Sequence, residues 1–249
     1  MTNTGKALRV MVTGGTRGIG RAIVEELADS CTDLTVLARS GSGLDALGDE
    51  LSSRFPSLRY TPICCDASDL TDLGSALSVW IASAHEDALD LLVLNAGNYT
   101  DGDLASIPID DYIRDLNLNL NSELVVVQRV LPLLRRGTQP RIVIVGSTAA
   151  YDSYSLVPSY GISKWGLRGF SINLREELRP DRIGVTFLSP GGTLTDMWAD
   201  DHVPEGRLID AQDVAVLLHS TLQLSEQAVV EELIVRPIEG DIHDYGAIG

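Results

Sequence analysis

The residues best suited to chemistry in this 249-residue sequence are a tyrosine and a lysine four positions apart, Tyr160 and Lys164. On a helix, positions i and i+4 share one face, so the phenol and the ammonium group would lie side by side. A neighbouring ammonium group stabilises a phenolate and lowers the pKa of a tyrosine, which can then exchange protons at moderate pH. The same spacing is common on ordinary helix surfaces, so the pair indicates a catalytic site only together with other residues of the sequence.

A serine lies thirteen residues before the tyrosine, at Ser147, just after the apolar run 141–145 ends. In open α/β sheets, the carboxyl ends of the strands border the ligand crevice. A hydroxyl group at this place can donate a hydrogen bond to a carbonyl oxygen on which negative charge develops. The adjacent hydroxyl of Thr148 is a second candidate for this task. The serine could therefore hold a carbonyl oxygen, and the tyrosine beside the lysine could exchange a proton.

A glycine-rich turn, TGGTRGIG over residues 13–20, follows the first apolar run. Glycines permit a tight turn and let the backbone approach a pyrophosphate, while a helix N-terminus offers free N–H groups and partial positive charge. The turn could instead be purely structural, but its place between the first strand and the first helix favours dinucleotide binding. The residues expected to hold the dinucleotide here are Gly14, Thr16, Arg17, Gly18, Ile19 and Gly20.

Short apolar runs alternate with longer stretches of helical period along the chain. The runs are rich in valine, leucine and isoleucine and show little alternation, which is typical of strands covered on both faces. We expect strands at 8–12, 34–38, 60–64, 89–94, 141–145, 184–188 and 233–235, and helices at 18–29, 43–53, 69–84, 110–135, 158–179 and 210–223. This order predicts one α/β domain over residues 1–249, with a Rossmann-type doubly wound parallel sheet of about seven strands and helices on both faces.

The segment 194–208 does not fit the alternation of expected strands and helices. It could be a flexible loop or a short helix over a site, or a plain surface insertion. Four large side chains flank this segment or the region around Ser147, and they could line a substrate pocket or serve only packing: Tyr151, Tyr154, Met197 and Trp198.

The glycine spacing T-G-x-x-x-G-I-G, together with Ser147 and the Tyr-x-x-x-Lys pair, resembles the short-chain dehydrogenase/reductase family. The motif matches run from Thr13 to Thr195, and the strand spacing fits almost to the end of the chain. The resemblance implies a nicotinamide cofactor that delivers a hydride to a carbonyl carbon, or takes one from an alcohol. It also implies that Ser147 positions the substrate oxygen, that Tyr160 donates the proton, and that Lys164 lowers the pKa of the tyrosine and holds the nicotinamide ribose.

A fourth catalytic residue implied by the resemblance is an asparagine in the long helix after the fourth strand. Three candidates are present, Asn117, Asn119 and Asn121. Their spacing to the end of the helix, which resembles that of the family, selects Asn119. In the family this asparagine kinks the helix and holds water for a proton relay through the lysine. The family often has a glycine three residues later, where this chain has Ser122.

The resemblance also assigns cofactor contacts after the third, fourth and sixth strands. In the family, the aspartate after the third strand contacts the adenine ring, although Asp66 could equally cap the next helix. The Pro-Gly segment after the sixth strand resembles the family's motif beside the nicotinamide, but such a loop could also only cap the sheet. The residues assigned in this way are Asp66, Ala67, Asn95, Ala96, Gly97, Pro190, Gly191, Thr193 and Thr195, and Tyr160 and Lys164 are expected to contact the cofactor as well.

The end of the second strand favours NADP(H) over NAD(H). A carboxylate there would bind the adenosine ribose and repel a 2′-phosphate, but the sequence has Ala38, Arg39 and Ser40. Arg17 of the glycine turn is expected near the same ribose. Two guanidinium groups that converge favour a phosphate, whereas the alternative is a pair of solvated surface arginines. We therefore expect an NADP(H) preference, with Arg39 and Ser40 among the contacts.

The composition of the chain argues against several classes of binding partner. The net charge of −16 disfavours nucleic acid, because an acidic surface repels phosphate backbones. The three cysteines form no disulfide or zinc pattern, and the four histidines share no metal-like spacing. No apolar run approaches the roughly 20 residues that span a bilayer, and the N-terminus is unlike a signal peptide. We expect a cytoplasmic protein without metal or membrane partner, and the resemblance implies a homo-dimer or homo-tetramer that acts on a small carbonyl or alcohol.

Two other functions are compatible with a dinucleotide-binding turn. A non-catalytic regulator or scaffold would keep the glycine turn but lose the Tyr160–Lys164 pair, which this chain retains. An enzyme that dehydrates or epimerises a nucleotide-sugar would usually carry a larger C-terminal substrate domain, whereas only a short tail follows the last expected strand.

Overall fold

Seven parallel strands form the central sheet of the computed structural model, which describes residues 8–83, 88–154, 157–198, 203–204 and 206–242. In chain order, the strands of the described residues are β1 Leu8–Thr13, β2 Cys31–Ala38, β3 Arg59–Cys64, β4 Leu91–Leu94, β5 Arg141–Val145, β6 Gly184–Pro190, β7 Thr193–Leu194, β8 Ile209–Asp210 and β9 Glu232–Val235. The central sheet has the order β3-β2-β1-β4-β5-β6-β9, and each neighbouring pair is parallel. The predicted seven-stranded parallel sheet is confirmed.

Helices connect the strands and cover both faces of the sheet. They are α1 Gly18–Leu27, α2 Gly41–Arg54, α3 Leu70–Ser83, α4 Ile109–Leu116, α5 Ser122–Leu134, α6 Pro158–Leu178 and α7 Ala211–Leu222. Buried side chains of α1, α2 and α7 form one apolar cluster with the sheet, while those of α3, α5 and α6 form a second. The fold is therefore doubly wound, as predicted.

Alternate residues of one strand enter the two opposite clusters. In β1, Val10 and Val12 belong to the cluster with α1 and α2, and Met11 belongs to the cluster with α3 and α5. All three side chains are at most 1% exposed. Because both faces of β1 are buried, apolar residues are favoured on both faces, which explains why the interior strands show little alternation in the sequence.

The direction of strand order reverses between β1 and β4. From β1, the next two strands, β2 and β3, lie successively towards one edge of the sheet. β4 then pairs with β1 on the opposite side from β2. Loops that leave neighbouring strands at such a point diverge to opposite faces and open a crevice at the carboxyl ends of the strands. The glycine turn after β1 and the residues after β4 therefore border the same crevice.

The long helix expected at 110–135 differs from the prediction in its interior. It consists of α4, a π-helical turn over Asn117–Asn121, and α5. The side chain of Asn119 points inward within this turn and bonds the backbone of Asn98. A widened turn is the usual way for a helix to accommodate an inserted residue, and such turns are frequent at functional sites. Hydrophobic periodicity alone does not reveal it.

The segment 194–208, expected to be a loop, a short helix or a surface insertion, begins with the last residue of β7 and ends just before β8. β7 pairs in parallel with β8 through Thr193 with Ile209 and Leu194 with Asp210. A single helical turn, Asp196–Trp198, lies between them. Residues 199–202 and 205 lie outside the described residues. Across the described residues, no helix combines the length and apolar character needed to span a membrane.

Candidate active site

The glycine turn brings the start of α1 against the ends of β1 and β4. Gly14 and Gly18 have positive φ angles of 69° and 54°, which glycine adopts without strain. A Cβ atom on Gly20 would lie 2.2 Å from the backbone oxygen of Gly14. Only glycine therefore allows this approach, and the first turn of α1 faces the cleft through Gly18, Ile19 and Gly20.

Asn95 and Thr13 fix the geometry of the crevice. The backbone N–H groups of Asn95 and Ala96 donate to the hydroxyl oxygen of Thr13, at 2.9 and 3.0 Å. The Asn95 side chain donates to the backbone oxygens of Thr13 and Gly14, at 3.1 and 3.2 Å. The residues after β4 are thereby held against the glycine turn.

Tyr160 and Lys164 lie on the first two turns of α6, Ser147 lies two residues after the end of β5, and all three line the cleft. The Lys164 Nζ atom lies over the Tyr160 ring, 5.4 Å from its centroid, and donates to the backbone oxygen of Val145 at 3.1 Å. Tyr99 packs edge-on against the same ring, with 6.4 Å between centroids. The structure thus brings together the three residues that the spacing had singled out.

The electrostatics of this group differ from the expectation that Lys164 lowers the pKa of Tyr160. Burial raises the pKa of Tyr160, and a hydrogen bond with Ser147 acts in the opposite direction. Burial lowers the pKa of Lys164 itself to about 8, which the nearby Glu123 carboxyl group opposes. Lys164 is buried and Tyr160 is half-buried at the edge of the cleft, so for each group partial or full removal from water disfavours the charged form. In this structure Ser147 is the residue that eases ionisation of the tyrosine.

Asn119 lies behind the cleft and is fully buried. Its Oδ1 accepts from the Asn98 N–H at 2.9 Å, and its Nδ2 donates to the Asn98 oxygen at 2.8 Å. Asn121 instead donates to Asn117 at 2.8 Å on the exposed side of the helix. Among the three asparagines, Asn119 alone is directed toward the site, where it fixes the loop after β4.

The region after β2 presents the two arginines expected to bind a phosphate. Arg17 and Arg39 are exposed and line the same cleft, as does Ser40. The Ser40 hydroxyl also caps α2 by accepting from the Gly43 N–H at 3.1 Å. Arg17 lies 4.0 Å from Asp196, and its side chain is 59% exposed. Both guanidinium groups are therefore accessible to a ligand in the cleft.

Asp66 lines the cleft after β3 and accepts from the Ser68 N–H and hydroxyl, at 2.9 and 2.7 Å. Burial acts against its ionisation, but these hydrogen bonds and the charge of Arg39 hold its pKa below the ordinary value. The alternative that Asp66 caps the next helix is wrong, because Asp69 accepts from the first N–H groups of α3.

The loop after β6 closes the cleft from the opposite side. The Gly191 N–H donates to the Val235 oxygen at 2.8 Å, and the Thr193 hydroxyl donates to the Gly191 oxygen at 2.8 Å. A Cβ atom on Gly18 would lie 3.2 Å from the Thr195 side chain, so this loop contacts the glycine turn. Pro190, Gly191, Thr193 and Thr195 all line the cleft.

The cleft has a volume of about 460 Å³. Every residue expected to bind the cofactor lines it, from the glycine turn through Arg39, Ser40, Asp66, Ala67 and 95–97 to the loop after β6. Ser147, Tyr160 and Lys164 line it as well. A cleft lined both by an anion-binding turn and by proton-exchanging groups can hold a dinucleotide and a small substrate together.

Two of the four large side chains proposed for a substrate pocket lie in the cleft, namely Tyr154 and Trp198. Tyr151 lies elsewhere, since its hydroxyl donates to Glu232 at 2.8 Å and its ring lies under Arg168. The side chain of Met197 lies outside the described residues.

Sequence reasoning missed several residues of the cleft, among them Tyr99 and Asp241. The Tyr154 hydroxyl donates to Asp241 at 2.8 Å and lies 2.8 Å from the Thr148 hydroxyl. Asp241 is also paired with Arg236. Local spacing carries no signal for a contact between residues that are 87 positions apart.

Comparison with known proteins gives the same assignment. Residues 9–205 match the family model described as short chain dehydrogenase. The chain is 30% identical to a sepiapterin reductase of Chlorobaculum tepidum over 244 residues, covering 94% of this chain and 98% of that protein. It is 31% identical to a 3-oxoacyl-(acyl-carrier-protein) reductase of Escherichia coli over 215 residues, covering 82% and 85%.

Solved structures share the fold over nearly the whole chain. A short-chain dehydrogenase from Burkholderia cenocepacia in complex with NADP has a TM-score of 0.81 and 29% identity, covering 92% of this chain and 96% of that one. A blue fluorescent protein from a metagenomic library in complex with NADPH has a TM-score of 0.81 and 27% identity, covering 95% and 98%. With the family model, the relatives and the site in agreement, this chain belongs to the short-chain dehydrogenase family and is an oxidoreductase.

Proposed function

We propose that this short-chain dehydrogenase transfers a hydride between NADP(H) and the carbonyl or alcohol group of a small molecule. The observation that carries the proposal is that Ser147, Tyr160 and Lys164 line the same cleft as the glycine turn. A non-catalytic regulator would have no need of this grouping. We therefore favour an enzyme over a dinucleotide-binding scaffold.

The residues of the cleft fit a nicotinamide dinucleotide. The glycine turn would hold the pyrophosphate at the N-terminus of α1. The turn can adopt this conformation only with glycine at position 20, because a side chain there would overlap Gly14. Asp66 and Ala67 would border the adenine, and 95–97 with Pro190, Gly191, Thr193 and Thr195 would border the nicotinamide half. When bound, the cofactor supplies the hydride.

The preference for NADP(H) is supported by charge. The end of β2 carries Arg39 and Ser40 in place of a carboxylate, and Arg17 presents a second exposed guanidinium group to the same cleft. Guanidinium groups bind phosphate through charge-assisted hydrogen bonds. The complexes of two related structures with NADP and NADPH support the same preference.

The residues of this chain have separate tasks in the proposed reaction. Ser147 donates a hydrogen bond to the substrate oxygen as negative charge develops on it. Tyr160 transfers its hydroxyl proton to that oxygen in reduction and recovers a proton in oxidation. Lys164 places a charge beside the tyrosine and would also hold the nicotinamide ribose. Asn119 positions the loop after β4 through its two hydrogen bonds to Asn98.

The substrate is a small carbonyl or alcohol compound, as the roles of Ser147 and Tyr160 require. An aromatic and apolar lining suits an apolar body of that substrate, and it is formed by Tyr99, Tyr154, Val157 and Trp198. Sepiapterin and a 3-oxoacyl thioester are the first compounds to test, because two relatives are named for the reduction of such compounds. The acidic net charge of −16 argues against nucleic acid as a partner.

We also infer a homo-dimer or homo-tetramer in the cytoplasm. Apolar side chains are exposed on neighbouring helices, with Leu124 on α5 46% exposed and Trp165 on α6 51% exposed. Exposed apolar side chains on adjacent helices are suited to association with a second copy. All three cysteines are free thiols, which suits a reducing compartment. Light scattering at micromolar concentration tests the oligomeric state, and a monomer would contradict it.

The deciding experiment measures cofactor oxidation with a panel of ketones, aldehydes, quinones and keto-esters, with NADPH and NADH in parallel. Tyr160→Phe should lose at least a hundredfold of turnover while its affinity for NADPH stays within about twofold. Tyr151→Phe is the matched control, because Tyr151 lies outside the cleft, and it should keep its turnover. Near-normal turnover in Tyr160→Phe contradicts the proton-transfer role. Tight NADPH binding without turnover on any compound supports the regulator instead.

A further inference from the structure

Tyr160 lies on the first turn of α6, where a helix is held least firmly. The first N–H groups of a helix have no partner within it, and helix ends fray. Val157, the residue that precedes this helix, has no polar side-chain atom that could cap it. A fixed position of the Tyr160 hydroxyl group in the cleft therefore requires support from another part of the fold.

A buried carboxyl group of α4 provides this support. Asp115 is 2% exposed, and its Oδ2 accepts a hydrogen bond from the hydroxyl group of Ser159 at 2.6 Å. Ser159 is fully buried and directly precedes Tyr160 in the chain. A carboxyl group close to the N-terminus of a helix is also favoured by the helix dipole. The start of α6 is thereby bonded to a residue that is 44 positions away in the chain.

The other oxygen of the same carboxyl group holds the loop after β4. The Oδ1 of Asp115 accepts from the hydroxyl group of Thr100 at 3.0 Å. Thr100 directly follows Tyr99, whose ring packs edge-on against that of Tyr160 with 6.4 Å between the centroids. Asp115 therefore bonds the chain neighbours of both aromatic rings. We call these two hydrogen bonds the Asp115 clamp.

A direct contact between Asp115 and the substrate is the alternative, because Asp115 borders the cleft. A carboxyl group that binds a substrate needs surface that the substrate can reach, whereas Asp115 is buried. Both of its oxygens already accept from hydroxyl groups of the protein. These contacts favour a role that acts through Ser159 and Thr100.

We propose that Asp115 is a positioning residue for the reaction: it fixes the start of α6 through Ser159 and the loop after β4 through Thr100, and so directs the Tyr160 hydroxyl group at the substrate oxygen. The inference rests on the proposed function. Proton transfer needs its two oxygens within hydrogen-bond distance, and a displacement of about 1 Å can lower a rate about a hundredfold. Without the clamp, the first turn of α6 opens more often and the tyrosine spends less time in the productive position.

Hydrogen exchange followed by NMR tests the clamp in the absence of substrate and cofactor. The Gly161 N–H donates to the Val157 oxygen at 3.0 Å, so its exchange rate reports opening at the start of α6. In Ser159→Ala this amide should exchange at least about tenfold faster, while the amides at the C-terminal end of α6 keep their rates. Asp115→Ala should act in the same direction. Unchanged exchange of Gly161 in Ser159→Ala overturns the proposal, whether or not Asp115→Ala folds.

Ser171→Ala is the matched control on the same helix. Ser171 is also fully buried, but its hydroxyl group donates to the backbone oxygen of Arg168 within α6, at 2.7 Å. This variant removes the same hydroxyl group and leaves the clamp intact, so exchange of Gly161 and turnover should both stay within about twofold of wild type. An effect as large as that of Ser159→Ala would reflect general packing of the helix and contradict the clamp.

Turnover is measured with the carbonyl compound that the wild-type protein reduces fastest. Ser159→Ala should lower kcat at least about tenfold, while the Kd for NADPH stays within about twofold because the glycine turn and Arg39 are unchanged. Thr100→Val, which keeps the shape of the side chain but removes the hydroxyl group, should lower kcat several-fold. Thr100→Ser, which keeps the hydroxyl group, should retain wild-type kcat. Equal values of kcat in the two Thr100 variants contradict the role of this bond.

The double variant of Asp115→Ala and Ser159→Ala shows whether the carboxyl group acts through the serine. Its kcat should lie within about twofold of that of Asp115→Ala alone, whereas losses that multiply contradict the proposal. Faster exchange of Gly161 with normal kcat in Ser159→Ala would make the clamp purely structural and also counts against it. A wild-type protein that binds NADPH but reduces none of the compounds refutes the proposed function, whereas unchanged exchange refutes the clamp, so the two failures are distinguishable.

Discussion

Replacing Arg39 by alanine tests the inferred cofactor preference most directly. Arg39 follows β2 on the rim of the cleft, and its side chain is exposed. A hydrogen bond to a charged group contributes about 1.5–3 kcal/mol, and exposure to solvent favours the lower end of that range. Since about 1.4 kcal/mol corresponds to a factor of ten in affinity, the Kd for NADPH should rise about tenfold. The Kd for NADH, which lacks the 2′-phosphate, should stay within about twofold.

The assay is a fluorescence or calorimetric titration of each cofactor in the absence of substrate. The contribution of Arg39 should shrink at high salt, because exposed charges are screened. Arg54→Ala is the matched control, since Arg54 is an exposed arginine at the end of α2 that pairs with Glu50 at 2.9 Å, and it should change neither Kd. If Arg39→Ala weakens NADPH and NADH by the same factor, the arginine does not contact the 2′-phosphate and the argument from the end of β2 is refuted.

Two further predictions concern stability. Gly20→Ala would place a Cβ atom 2.2 Å from the Gly14 oxygen, so it should cost about 1–3 kcal/mol and lower the melting temperature. Gly169→Ala, where nothing lies within 4 Å, should raise stability by up to about 1 kcal/mol, and equal effects of both changes would contradict the packing argument. Burial opposes ionisation of Asp90, but its bonds to Arg9 and Thr138 hold its pKa below the ordinary value. The stability this provides is fully present above the unfolded pKa of about 3.9 and is lost as pH falls through the lower folded value. Asp90→Asn should therefore cost about 3 kcal/mol at pH 7, with the loss shrinking towards pH 2 in chemical denaturation, and a loss independent of pH would refute the assignment.

The fold was largely predictable because burial on both faces leaves a strong local pattern. The strand at 141–145 has the observed bounds, and the one expected at 8–12 ends one residue later, at Thr13. The resemblance implied a kink at Asn119, but hydrophobic periodicity did not show its π-helical form or the hydrogen bonds between Asn119 and Asn98, which lie 21 positions apart. The pair β7 and β8 was also missed, since two-residue strands are too short to show a period.

For the candidate site too, some features were predictable from the sequence and others were not. Residue type and spacing were sufficient for the glycine turn, where a side chain would overlap the backbone, and for Tyr160 and Lys164, which share a helix face. They predicted the wrong direction for the pKa of Tyr160, because burial depends on what packs around a residue and not on its neighbours in sequence.

The sequence by itself determined the order of strands and helices, the phosphate-binding turn and the proton-transfer pair, because these depend on residues close together in the chain. Only the tertiary structure placed Asp241 against Tyr154 and put the carboxyl group of Glu123 within the field of Lys164. Both depend on elements that meet across the fold. The pKa of a buried group depends on the groups that replace water around it, and those groups are known only from the packed structure.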